Sequence, residues 1–104
     1  MASIESLNAL CATGKMRWIG AADAWRAEAE DVVHALARDG FEECKREEAR
    51  DRRHHARNGV WQGLNRATGH IASAVWVVSD LRQPLVFIDI DGEPLRGRSA
   101  DVRP

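Results

Sequence analysis

FEECKREEARDRRHHARNG, residues 41–59, is the most highly charged stretch of the chain, and the fold depends on how it is read. Glu42 stands four residues before Arg46, and Glu48 four before Arg52, the acid-before-base order that supports a helix. Only Phe41, Cys44, Ala49 and Ala56 offer apolar contact. The spacing predicts a solvated helix over 41–57 that either projects or needs a partner to pack against. Arginines and histidines in its last turns suit the negative end of a helix dipole. At Asn58-Gly59 the pattern changes, and β-branched and aromatic residues take over.

The residues before this stretch also read as helical. Ser3 is the expected N-cap of a first helix, with Glu5 in its first turn and Ile4, Leu7, Leu10 and Cys11 along one side. Thr13-Gly14 ends it, and residues 15–20 lead on as an extended segment. In a second helix Ala22, Trp25, Ala29, Val32, Val33 and Leu36 recur at spacings of three and four, opposite Glu28, Asp31 and Arg38. Asp39-Gly40 is its stop, because glycine takes the left-handed conformation that closes a helix.

Beyond Gly59 the pattern is that of strands. Residues 60–66 form a first strand, and ATGH (67–70) is its turn. Residues 71–79 are apolar on both faces, with Ile71, Val75 and Val77 on one and Ala72, Ala74, Trp76 and Val78 on the other. That predicts a central strand covered on both sides. Residues 85–91 follow, and Asp91-Gly92 is a two-residue hairpin signal. Pro94 confines the last short strand to an edge. The expected architecture is α+β, with two to three N-terminal helices packed on a C-terminal three- to four-stranded antiparallel β-meander. A chain of 104 residues reads as a single domain, helical over 1–57 and β-rich over 58–97, with a short tail at 98–104.

Composition narrows the partners. The net charge is −1, so no global field draws the chain to nucleic acid or to an anionic membrane. The hydrophobic fraction of 44% and charged fraction of 30% suit a globular protein. Thirteen of the fifteen basic side chains are arginine and alanine is abundant, a bias expected of a GC-rich bacterial coding sequence. The amino terminus shows no secretory pattern, and the longest apolar run is too short to span a bilayer. A cytoplasmic location follows as the expectation, with Cys11 and Cys44 reduced.

The phrase VFIDIDGEPL (86–95) resembles the first motif of the haloacid-dehalogenase-like phosphatases, Asp-x-Asp-Gly-Thr at the end of a strand. The resemblance implies Asp89 as nucleophile and Asp91 as general acid. Glu93 stands where threonine belongs, Pro94 follows it, and only thirteen residues remain after Asp91. A hairpin bearing two acids accounts for every residue of the phrase. Nor does the position of Gly92 match the sixth place that a calcium loop requires.

His54, His55, Asn65 and His70 run in the order of a ββα-metal nuclease, which gives a metal-dependent nuclease as a third function class. A zinc site from Cys44, His34 and His54 or His55 fails on distance, since Cys44 and His55 are eleven residues apart and a helix extends about 16 Å over that separation. No Cys-x-x-Cys or His-x-x-x-His pair is present. The sequence therefore leads us to expect no catalytic set, no metal and no cofactor.

Two surfaces remain. Arg50, Arg52, Arg53, Arg57 and Arg66 could neutralise phosphates, which gives a nucleic-acid-binding regulator as the alternative function. Acids Glu42, Glu43, Glu47, Glu48 and Asp51 oppose it. Helices covering the Val75 and Val77 face would leave Trp76 and Val78 on the other face, with Trp61 and Phe87 on flanking strands, as an apolar protein interface. The leading expectation is a small regulatory or accessory binding protein, an inhibitor, immunity-type partner or adaptor. It self-associates through its sheet as a homo-oligomer and has no membrane partner.

Overall fold

The computed structural model describes residues 3–20, 22–51, 56–78 and 84–97. Among them are two helices, α1 (Glu5–Ala12) and α2 (Ala29–Arg38), and seven strands. The strands are β1 (Arg17–Trp18), β2 (Trp25–Arg26), β3 (Phe41–Asp51), β4 (Ala56–Asn65), β5 (Ile71–Val78), β6 (Leu85–Ile90) and β7 (Glu93–Pro94). They form one antiparallel sheet in the order β1-β2-β6-β5-β4-β3, with β7 paired to β6. Helices on a three- to four-stranded meander are thus corrected to two helices on a seven-stranded sheet.

The largest correction is the stretch 41–59. A helix there would have had almost no apolar side to bury, and most helical stability in proteins comes from such burial. As β3 it instead makes a long antiparallel ladder with β4, from Phe41↔Asn65 to Asp51↔Ala56. A register shift between Glu43 and Lys45 leaves Cys44 as the extra residue of a β-bulge. The charges then serve a strand at the sheet's edge, where they oppose pairing with another chain. Acids expected to pair along a helix pair between elements instead. Arg46 is bonded to Glu30 of α2, Arg57 Nε lies 3.6 Å from Glu48, and Arg66 Nε donates to Glu42 at 2.9 Å.

The second helix starts later than the apolar spacing predicted. Trp25 and Arg26 pair with Val86 and Leu85, so α2 begins only at Ala29. Its Val32, Val33, Ala35 and Leu36 are buried. Ser3 is not the cap of α1. Ser6 and Leu7 donate their backbone N–H groups to the Asp39 carboxylate at 2.8 and 3.3 Å, so the residue that ends α2 caps α1 from 33 positions away. Gly40, at φ +100°, then turns the chain into β3.

Both helices lie over one face of the sheet. That face carries Trp61, Ala72, Ala74, Trp76, Val86 and Ile88, which join Leu7, Val32, Leu36 and Phe41 in a single core. Trp76 and Trp61 are each only 1% exposed. Gly59 pairs directly with Trp76, and a Cβ there would fall 2.0 Å from the indole. Gly63 is likewise roofed by Trp61, with a would-be Cβ 2.3 Å from its ring. Two glycines on one strand thus leave the space that two indoles fill. Trp61 Nε1 donates to Glu43 Oε1 at 2.8 Å, and Trp25 Nε1 to the Leu95 carbonyl at 2.9 Å. The buried Trp76 Nε1 finds no acceptor among the described residues. Leaving such a donor unpaired costs stability, so this indole is held by packing alone.

Candidate interaction surface

With α1 and α2 covering the Trp76 face, alternation turns Ile71, Val75 and Val77 of β5 to the other face. This reverses the expected orientation, in which the helices covered Val75 and Val77. Ile71 is 49% exposed, Val75 39%, Val77 42% and Phe87 37%, a concentration of large apolar side chains on one surface. Register makes them neighbours. Val75 is flanked by Val60 of β4 and Phe87 of β6, and Val77 by Asn58 and Leu85. Ile71 pairs with Leu64, and Val60, Leu64 and Leu85 are half-buried.

The surface has relief and a charged border. A shallow groove of about 660 Å³ runs over β3, β4 and β5, lined on the open face by Glu47, Ala49, Asn58, Val60, Val75 and Val77. Phe87 stands on β6 beside it. Beyond Phe87, Arg26 and Arg17 share the row of Leu85 through β2 and β1. On the opposite border Glu47 pairs with Val60, and Lys45 with Gln62. One end is fixed by a corner at His70 and Asp91. Asp91, at φ +54°, and Gly92, at φ +83°, form the hairpin turn. The Asp91 carboxylate accepts the Ile71 N–H at 2.8 Å and is bonded to the His70 ring. Those two bonds, the backbone one first, hold its carboxyl below the usual carboxylate range.

The residues singled out from sequence divide accordingly. Phe87 belongs to the open surface. Trp61 and Trp76 lie inside the core of a single chain, and Val78 is half-buried on their side of the sheet. Val75, Val77 and Ile71 take their place as the exposed apolar residues. One signal for this was present in the sequence. Trp61 alternates with Gly59 and Gly63, while Trp76 alternates with Ala72 and Ala74, the large-and-small pattern of a packed face.

The phosphate-binding set does not assemble into a free basic patch among the described residues. Arg57 and Arg66 face Glu48 and Glu42, and Arg50 is an exposed residue of the edge strand. Arg52, Arg53, His54 and His55 lie outside the described residues. Of the proposed nuclease set, Asn65 is occupied in a turn. Its Oδ1 accepts from the Ala67 and Thr68 N–H groups, and its Nδ2 donates to the Asp39 carbonyl at 3.4 Å. Asp89 and Asp91 sit on an antiparallel strand and its hairpin, without the parallel strand end on which the phosphatase motif depends. Among the described residues no three His, Cys, Asp or Glu side chains group to hold a metal ion. Cys11 and Cys44 are not joined in a disulfide, and no described helix is long and apolar enough to cross a membrane. No family model, curated protein or solved structure matches the chain.

Proposed function

We propose that this chain is a small binding protein that acts by protein–protein contact through the open face of its sheet. Its role is regulatory or accessory, in the manner of an inhibitor, immunity-type partner or adaptor. One observation carries the reading: Ile71, Val75, Val77 and Phe87 are exposed together on one side of the central strands. Isolated exposed apolar residues are ordinary on protein surfaces, but a contiguous patch bordered by charge marks an interaction site. The patch also lies on paired strands of the sheet, so a partner would meet a surface already shaped for it.

Val75→Asp and Val77→Asp test the reading. Both side chains point away from the core, so each variant should keep its fold, with stability changed by no more than about 1 kcal/mol. Each should lose the complexes that the parent chain forms, read by native mass spectrometry with circular dichroism as the fold control. Folded variants with the same complexes as the parent would refute it.

A further inference from the structure

We propose that the occupant of the open face is a second copy of the chain, docked about a two-fold axis running along β5. This rests on the reading above and supplies the partner and its geometry. Two identical sheets meeting face to face must be related by an axis lying in their interface. An axis along β5 reverses the strand order of one copy over the other. The β6 column of each copy then lies over the β4 column of its mate, and the β2 column over β3.

Register converts that into side-chain partners. Phe87, Val75, Val60 and Glu47 occupy one lateral row across β6, β5, β4 and β3. Reversal about β5 puts Phe87 of each copy over Val60 of the other, at the groove lined by Val60, Val75 and Val77. The partly exposed Phe87 ring and the groove therefore stand at symmetry-related positions on one surface, as a self-complementary contact requires. Arg26, Leu85, Val77, Asn58 and Ala49 occupy the adjoining row. The same reversal brings Arg26 over Ala49, two residues along β3 from Glu47 and on the same face, and sets Lys45 diagonally across from Asp89.

An axis across the strands is the other simple arrangement. Centred on Val75, it stacks Phe87 on Phe87 and sets Glu47 against Glu47, leaving the groove unfilled and like charges opposed. The axis along β5 avoids that opposition and fills the groove. The size is adequate as well. Eight residues of β5 are about 26 Å long, and five strands from β2 to β3 span roughly 24 Å. The resulting plan area, on the order of 600 Å², approaches the roughly 800 Å² that each partner of a stable complex buries.

Sedimentation equilibrium of the full chain, with circular dichroism on every variant, tests the proposal. The parent chain should be a dimer. Phe87→Ala should raise the dissociation constant roughly 30-fold or more, since its ring is lost twice per dimer at the centre of the contact. Arg26→Glu sets an acid near Glu47 of the other copy, and Glu47→Arg sets a base near Arg26, so each alone should weaken the dimer. Combined, Arg26→Glu and Glu47→Arg should restore association to within a few-fold of the parent chain. A dimer indifferent to Phe87→Ala, or one that the combined charge swap leaves as weak as either single variant, would overturn the proposal. A monomeric chain that forms a one-to-one complex with a different protein, lost in Val77→Asp, would overturn the second copy while leaving the binding face intact. A monomer without any such complex would remove both.

Discussion

Gly59→Ala should lower stability by about 3 kcal/mol or more, the upper range for overpacking a filled core, although it adds a single methyl group. The added Cβ would fall 2.0 Å from Cε2 and Cζ2 of Trp76 and 2.4 Å from its Nε1. No indole tolerates that approach, so either the ring leaves its rotamer or β4 and β5 separate. The ring is 1% exposed and surrounded by core side chains, so its displacement propagates into α2. At roughly 4–8 °C per kcal/mol for a domain of this size, the melting temperature should fall by 12 °C or more. Near-ultraviolet circular dichroism should report the altered tryptophan environment. A double variant, Gly59→Ala with Trp76→Leu, should lose less than the sum of the two single losses, because the smaller side chain relieves the overlap. Thermal unfolding within 2–3 °C of the parent chain, a shift of less than about 1 kcal/mol, would show that the indole does not lie over Gly59.

Asp39→Ala should cost about 2–4 kcal/mol, from the loss of two charge-assisted bonds to the start of α1. The first N–H groups of a helix have no partner within it, and Ile4, at the cap position, supplies none. Asp39 does so with both oxygens, on Ser6 and Leu7, and is itself buried. Removing it leaves two donors without acceptors and loosens the contact between the end of α2 and the start of α1. Asp39→Asn keeps one acceptor oxygen and should lie between the parent chain and Asp39→Ala. Hydrogen exchange at Ser6 and Leu7 should accelerate in Asp39→Ala far more than at the centre of β5. Equal protection of those two amides in parent and variant would contradict the cap.

The sequence made some of this architecture legible because certain residues have few alternatives. Glycines at 14, 40 and 92 adopt positive φ where turns were expected. Residues 71–78 and 85–90 have the strict alternation of strands, which their pairing satisfies. Residues 41–51 misled because acid–base spacing at i, i+4 supports a helix by only about 0.3–0.5 kcal/mol per pair. A ladder with β4 outweighs that, and nothing local to the stretch announces the partner strand. Alternation also separated the two faces of β5 without saying which one the helices cover. That choice depends on volume, with Gly59 and Gly63 making room for Trp76 and Trp61, a complementarity between strands that a search for apolar residues alone overlooks. The surface residues Val75 and Val77 were visible as a face, but their exposure follows only once the indoles are assigned to the core.

The most direct test of the open face as an interface is thiol labelling at Val77→Cys, in a chain carrying Cys11→Ser and Cys44→Ser. Position 77 is exposed in the isolated chain, so at nanomolar concentration a maleimide should react as fast as with an unstructured thiol. As the concentration rises through the micromolar range, the rate should fall in step with dimer formation. A rate that stays the same at every concentration would mean that Val75, Val77 and Phe87 remain in water and that no second copy covers them.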